Sequence, residues 1–148
     1  MLRREREDVA HGSGRELPAR SQRLRRLSDG TTPITDLFAP EMTWRIEGRS
    51  KVAKQYADAQ QFIDEVLAPF GARFVHGDRF RPIAIRAIYS DDDTVIVLWD
   101  GRGVANDGLP YENSYVWIMR LDGGKVVDST AFFDTVAFED LWNRVPPA

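Results

Sequence analysis

The sequence predicts an α+β domain built on a curved antiparallel sheet packed by helices, and three features predict it. Long alternating segments recur at hairpin spacing after residue 80, short Gly- and Asp-rich turns separate them, and a helix-periodic segment precedes them. Successive strand side chains face opposite ways, so each such segment presents two distinct faces. Strands of about ten residues twist and curl, and a helix across the concave side leaves a conical cavity.

The elements follow in chain order. Residues 1–30 hold eight Arg and five acids, and all 16 aromatic residues lie after position 37. This Arg-rich tail is expected to be disordered or a degenerate first helix carrying only the thin stripe Leu17, Leu24 and Leu27; the folded domain is expected over 31–145. Pro33 to Phe38 reads as a short helix with Ile34, Leu37 and Phe38 inward, stopped by Pro40. Thr43 to Glu47 reads as the first strand, with Trp44 and Ile46 on one face. Asp58 is the expected N-cap of a helix to about Phe70, because Phe62, Ile63, Val66, Leu67 and Phe70 follow i, i+3, i+4 spacing; Pro69 kinks or ends it. Four strands follow, over Phe80–Tyr89, Thr94–Val104, Tyr111–Leu121 and Lys125–Asp134. Their connections are Ser90-Asp91-Asp92-Asp93, Asn106-Asp107-Gly108-Leu109-Pro110 and Asp122-Gly123-Gly124. Thr135 to Trp142 closes the chain as a helix, with Asp134 at the junction and Thr135 as a candidate N-cap.

Composition excludes several functions. The net charge of −3 divides into an excess of three positive charges in residues 1–30 and an excess of six negative charges in the remainder. An acidic domain is poorly suited to nucleic acid, whose phosphates need clustered Lys and Arg. No apolar run approaches the ~18–20 residues that span a bilayer, so no membrane partner is expected. The chain has no Cys, which excludes disulfides and thiolate chemistry and fits a cytoplasmic location. There is no Gly-rich phosphate loop, nucleophile elbow or zinc-protease motif, and His11 and His76 are too isolated to build a metal site. No cofactor and no metal are expected. The Asp91-Asp92-Asp93 run reads as a solvated turn.

Two strands carry the candidate chemistry. Tyr111, Asn113, Tyr115 and Trp117 share one face, which reads either as core or as a pocket wall whose amide and phenol orient a carbonyl or hydroxyl. On the last strand, Asp128, Thr130, Phe132 and Asp134 share one face and Ser129, Ala131 and Phe133 the other. Asp134 is a candidate catalytic base if its face lines a cavity, and a helix cap or Arg partner otherwise. Asp100, after Trp99, offers the same choice between a base and a surface pair with Arg86 or Arg102.

The segments Leu37-Phe38-Ala39-Pro40-Glu41-Met42-Thr43-Trp44, Trp99-Asp100-Gly101, Tyr111-Glu112-Asn113-Ser114-Tyr115, Gly124-Lys125-Val126-Val127 and Phe132-Phe133-Asp134-Thr135 occur in an order that resembles SnoaL-like, ketosteroid-isomerase-related proteins of the nuclear-transport-factor-2-like superfamily. The resemblance covers about residues 33–142. It implies a cone-shaped curved sheet of the cystatin-like α+β roll type, closed by helices, and often a homodimer through the sheet. It implies a small-molecule pocket without fixing a reaction, because one fold hosts many functions. The expected function is therefore binding of a small, largely apolar molecule in the cone, extended to isomerase, cyclase or hydrolase chemistry on a carbonyl or polycyclic substrate if the protein is an enzyme. The alternative is a non-catalytic dimerising or ligand-sensing module. The expected catalytic residues are Asp134, Tyr115 and Asp100, with Trp44, Trp99, Asn113, Trp117 and Phe132 binding ligand. A homodimer is expected through apolar residues including Val95, Val97, Val116 and Ile118, which exceed the needs of a one-sided sheet.

Overall fold

A computed structural model of the chain describes residues 3–5 and 33–148. The expected stripe of Leu17, Leu24 and Leu27, like most of the Arg-rich tail, lies outside the described residues.

Seven strands form one sheet in the order β1-β4-β5-β6-β7-β2-β3. They are β1 Arg3–Glu5, β2 Phe38–Ile46, β3 Gln55–Tyr56, β4 Arg81–Asp91, β5 Thr94–Val104, β6 Pro110–Asp122 and β7 Lys125–Phe133. All pairings are antiparallel except β2 with β7. The helical segments are a 3-10 turn at Ile34–Leu37, α1 Ala59–Phe62, a π segment Ile63–Leu67, α2 Ala68–Gly71 and α3 Thr135–Arg144.

The hairpin meander follows its turn chemistry. Gly123 and Gly124 both have positive φ, 57° and 79°, as the tight β6–β7 turn requires. The β5–β6 ladder runs without a shift from Thr94↔Arg120 to Val104↔Pro110. This fixed register turns Val95, Val97 and Trp99 inward with Tyr115, Trp117 and Met119. On β4 the register shifts between Pro82 and Ala84 and again between Ile85 and Ala87, so this strand is bulged.

Several elements differ from expectation for local reasons. The first helix is only the Ile34–Leu37 turn, and β2 begins at Phe38 rather than Thr43. Pro40 sits inside β2 where the pairing with β7 shifts between Phe38 and Thr43, a place that tolerates its missing N–H. Strands β1 and β3 are too short to show a period in sequence. Val95 and Val97, expected to face a partner, are 0% and 3% exposed and belong to the core. The outward residues of β5 and β6 are Ile96, Leu98, Val116 and Ile118.

The central helical segment shows how packing overrides ideal geometry. Asp58 caps it as expected, accepting a 2.8 Å bond from the Gln61 N–H. Pro69 does not end the helix but stands in the first turn of α2, where a missing N–H is tolerated. A proline ring clashes with the carbonyl four residues back, and the chain answers with the wider π segment just before it, in which the Ala68 N–H reaches Ile63 O. In an unbroken α-helix, residues i and i+8 point about 80° apart. The underwound π turns recover that drift, so Phe62, Val66 and Phe70 all face the sheet, at 3%, 5% and 9% exposure.

Candidate functional site

The concave face of the sheet and the helical segments enclose a cavity of about 330 Å³, within the ~300–1,000 Å³ range of small-molecule sites. Its wall is contributed by β2 (Trp44, Ile46), the central helical segment (Phe62, Val66, Leu67, Phe70), β4 and its approach (Phe80, Pro82, Ile85), β5 (Val97, Trp99), β6 (Tyr115, Trp117), β7 (Ala131, Phe133) and α3 (Phe138), with Pro33 and Ile34 beside them. Nine of these residues are aromatic and none is charged.

The aromatic wall is an ordered row. Trp44 stacks on Phe62 with ring centres 4.5 Å apart, and Trp99 stacks on Tyr115 at 4.3 Å. Trp117 stands nearly perpendicular to both indoles, 5.1 Å from Trp44 and 4.9 Å from Trp99. Strand β7 lies between Trp44 on β2 and Trp117 on β6. Its inward residues there are Ser129 and Ala131, paired with Trp44 and Trp117 respectively, and their small size lets the two indoles meet. Across the cavity, Arg73 holds the helices in place. It is 5% exposed and lies over the Trp142 ring at 3.7 Å. It donates to Pro69 O at 2.8 Å and Trp142 O at 3.3 Å, and so ties the segment bearing Phe70 to the helix bearing Phe138.

One polar feature of the wall is the chain Asn113–Tyr111–Tyr115, and its hydrogen bonds fix the orientation of the Asn113 amide. Asn113 Oδ1 accepts from Ser114 N at 2.8 Å and Asp134 N at 3.2 Å, so its Nδ2 must face the other way. That nitrogen donates to Asp134 O at 3.0 Å and to the Tyr111 hydroxyl at 2.8 Å. Tyr111 and Tyr115 hydroxyls are 2.8 Å apart. Tyr111 is otherwise surrounded by the rings of Phe70, Phe74 and Phe80. The Tyr111 oxygen accepts from Asn113, and either phenol can donate to the other. Tyr115 is the member of the chain that lines the cavity. Burial pushes Tyr111 up to about 12, against partial relief from its hydrogen bonds to Tyr115 and Asn113. Burial, reinforced by Tyr111, holds Tyr115 well above the ordinary phenol value. Both are neutral donors near neutral pH.

Of the residues singled out in the sequence, Trp44, Trp99, Trp117 and Tyr115 line the cavity. Asn113 is buried behind them and acts on Tyr111. Phe132 does not line the cavity. It is 49% exposed on the outer face, and its neighbour Phe133 turns inward. Asp134 is exposed and caps α3, its Oδ1 accepting from Val136 N at 2.9 Å and Ala137 N at 3.4 Å, which makes it the cap in place of Thr135. Asp100 is also on the outer face, where its Oδ1 accepts from Ser114 Oγ at 2.7 Å and pairs with Arg86 at 3.1 Å. Both carboxylates border a shallow polar depression outside the sheet. Neither reaches the apolar cavity, because β5 residues alternate and Trp99 takes the inner side.

Phe62, Phe70, Phe80, Phe133 and Phe138 were missed as cavity residues. The parity of β7 held the clue for Phe133, since it shares a face with small, buried Ala131. Phe80 had none, because its position depends on glycines of another strand. Among the described residues, no group of three His, Cys, Asp or Glu is placed to hold a metal ion. No helix there is long and apolar enough to cross a membrane.

A curved sheet closing on helices around an aromatic cavity is the nuclear-transport-factor-2-like architecture. Within it the chain belongs to the SnoaL-like domain family, whose model matches residues 28–129. No curated protein matches the chain. Among solved structures, Bal32a from a soil-derived mobile gene cassette is 19% identical over 83% of this chain and 95% of its own, with a TM-score of 0.64. A nuclear-transport-factor-2-like protein from Burkholderia thailandensis is 23% identical over 84% and 98%, with a TM-score of 0.63. A SnoaL-like polyketide cyclase candidate from a Jannaschia species is 15% identical over 86% and 96%, with a TM-score of 0.62. At these identities the likeness establishes the fold.

Proposed function

We propose that the protein binds a neutral, largely apolar molecule in the cone and that Tyr115 donates a hydrogen bond to a carbonyl or similar acceptor on it. The observation that carries this reading is the wall itself: an uncharged aromatic surface that includes the Tyr115 phenol. An ionic ligand would lose its hydration without gaining a counter-charge. A flat neutral molecule keeps nearly all it gains from burial. Base catalysis by Asp134 or Asp100 lacks geometric support, since both carboxylates lie across the sheet from the cavity. Any chemistry here would use Tyr115 as a donor to a developing oxyanion, and the polyketide-cyclase candidate of the same fold is compatible with a polycyclic ligand.

The test is a matched pair of probes, acetylnaphthalene and ethylnaphthalene, titrated against tryptophan fluorescence. The ketone should bind about five- to tenfold more tightly, the worth of one net hydrogen bond. Tyr115→Phe should erase the difference. Equal affinities in the wild type would contradict the assignment.

A second reading concerns assembly. Ile96, Leu98, Val116, Ile118 and Phe132 form an outward aliphatic and aromatic centre, flanked by the Arg86–Asp100 and Arg102–Glu112 pairs. An apolar centre with a polar rim is the anatomy of an interface, and a second copy meeting this face would form a homodimer. Sedimentation showing only monomer at tens of micromolar would refute it.

A further inference from the structure

We infer that Phe80 sets the size limit for the cavity's ligand, and that Gly101 is the residue that holds the cavity open by giving the Phe80 ring a seat. The inference rests on the cavity being the binding site.

Gly101 lies on the inner face of β5, two residues beyond Trp99. It has ordinary strand backbone, so its conformation does not demand glycine. Its neighbour does. A Cβ on Gly101 would stand 2.2 Å from Cζ and 2.6 Å from Cε2 of Phe80, far inside van der Waals contact. The ring therefore rests directly on the glycine. Gly103, the next inward residue, seats the backbone of the same phenylalanine: a Cβ there would lie 2.7 Å from Phe80 N and 2.8 Å from its Cα. Two glycines thus form a notch in the sheet, one for the main chain of Phe80 and one for its ring.

The surroundings of the ring determine where it goes if the notch is filled. Phe70 is 4.9 Å away, Phe74 5.6 Å, Tyr111 and Tyr115 each 5.8 Å and Trp99 6.1 Å, centre to centre. The remaining direction is the cavity that Phe80 lines. A methyl group at position 101 would press on the far end of the ring and swing it into that space. The same movement would bring the ring across Tyr115. The choice between hydrogen and methyl at one strand position therefore selects between a wide and a narrow cavity, and Gly101 selects the wide one.

The test uses two hydrocarbons, naphthalene and pyrene, which differ in size and cannot hydrogen-bond to Tyr115. Binding is followed by energy transfer from tryptophan in the wild type, Gly101→Ala and the double variant Gly101→Ala with Phe80→Ala. Gly101→Ala should weaken pyrene by about tenfold or more and naphthalene by less than about threefold, since overfilling excludes the larger ligand first. The double variant should return pyrene to near its wild-type affinity, which separates a displaced ring from general damage to the fold. A crystal structure of Gly101→Ala should show the ring moved into the cavity. Unchanged pyrene binding in Gly101→Ala, no recovery in the double variant, or a ring displaced toward solvent would overturn the inference. If the wild type bound neither hydrocarbon, the binding reading would fail, and the ring position in Gly101→Ala would still decide whether the glycine is its seat.

Discussion

The two faces of the same strands are chemically distinct surfaces. On β5, Val95, Val97 and Trp99 point inward and are at most 6% exposed, while Ile96, Leu98 and Asp100 point outward and are half-buried. The inner face is aromatic, uncharged and carries the Tyr115 phenol. The outer face has an apolar centre and keeps the carboxylates Asp100, Glu112 and Asp134. A single-residue step along a strand thus separates a ligand wall from a charged surface. The position of a carboxylate near aromatic residues in sequence says little about its surroundings until its side of the sheet is known.

The largest effects should come from placing charge on the two faces in turn. Val97→Asp buries an unpaired carboxylate and should cost about 4 kcal/mol or more, enough to leave the chain largely unfolded in circular dichroism. Leu98→Asp, one residue away, should fold with a similar thermal midpoint and sediment as a monomer. A folded Val97→Asp protein would erase the distinction between the faces.

The neighbouring phenylalanines of β7 sharpen the comparison. Phe133 packs its ring 5.6 Å from Tyr115 and 4.8 Å from Phe138. Phe133→Ala should lower stability by about 2–4 kcal/mol in urea unfolding and weaken acetylnaphthalene. Phe132→Ala should leave probe binding unchanged.

Alkaline pH probes the buried phenols, among them Tyr56, which burial and the charge of Glu65 push up to about 12. The folded-state values of Tyr111 and Tyr115 lie above the ordinary 10.0, Tyr111 at about 12. A raised value means that the native state binds the proton more tightly than the unfolded chain does. The stabilisation is complete below the unfolded value and is lost as pH rises from about 10 toward and beyond 12. Stability should fall over that window, with phenolate absorbance from these residues appearing together with unfolding. Tyr111→Phe should reduce the slope. Titration of all tyrosines in the native state near their ordinary value would contradict the buried chain.

The smallest effect belongs to the outer carboxylate. Asp134→Ala removes the cap of α3 and should cost about 1 kcal/mol, while Asp134→Asn, an equally good cap, should be nearly neutral. Neither should change probe affinity by more than about twofold, because the side chain is across the sheet from the ligand. A large loss of binding in either variant would restore Asp134 to the site.

Much of this architecture was legible in the sequence. The meander was, because Tyr111–Trp117 alternates, Val95–Trp99 is apolar on both faces as a central strand is, and the turns carry Gly and Asp. Asp58 was legible as a cap because a helix-periodic run follows it. Tyr115 and Trp117 share a face that the sequence reads equally as core or as pocket wall, and the structure sets both beside the cavity. What could not be read depends on contacts between distant segments. The Asp134 side chain had two local uses, and only the start of α3 at Thr135 decides for the cap. Phe132 and Phe133 are adjacent and chemically identical, so choosing between them required the pairing of β7 with β6. The π segment arises from a conflict between Pro69 and the need to turn Phe62, Val66 and Phe70 to one side, which hydrophobic spacing alone reads as an ordinary helix. The orientation of the Asn113 amide behind the tyrosines needed the backbone N–H groups of Ser114 and Asp134.

The central claim is that the cone binds a neutral apolar molecule with its acceptor on Tyr115, and a crystal structure with acetylnaphthalene tests it most directly. The account predicts the naphthyl rings against Trp99 and Trp117 and the carbonyl oxygen within hydrogen-bond distance of the Tyr115 hydroxyl. A probe bound outside the sheet beside Asp100 and Asp134, or held in the cavity with its carbonyl turned away from Tyr115, would contradict it.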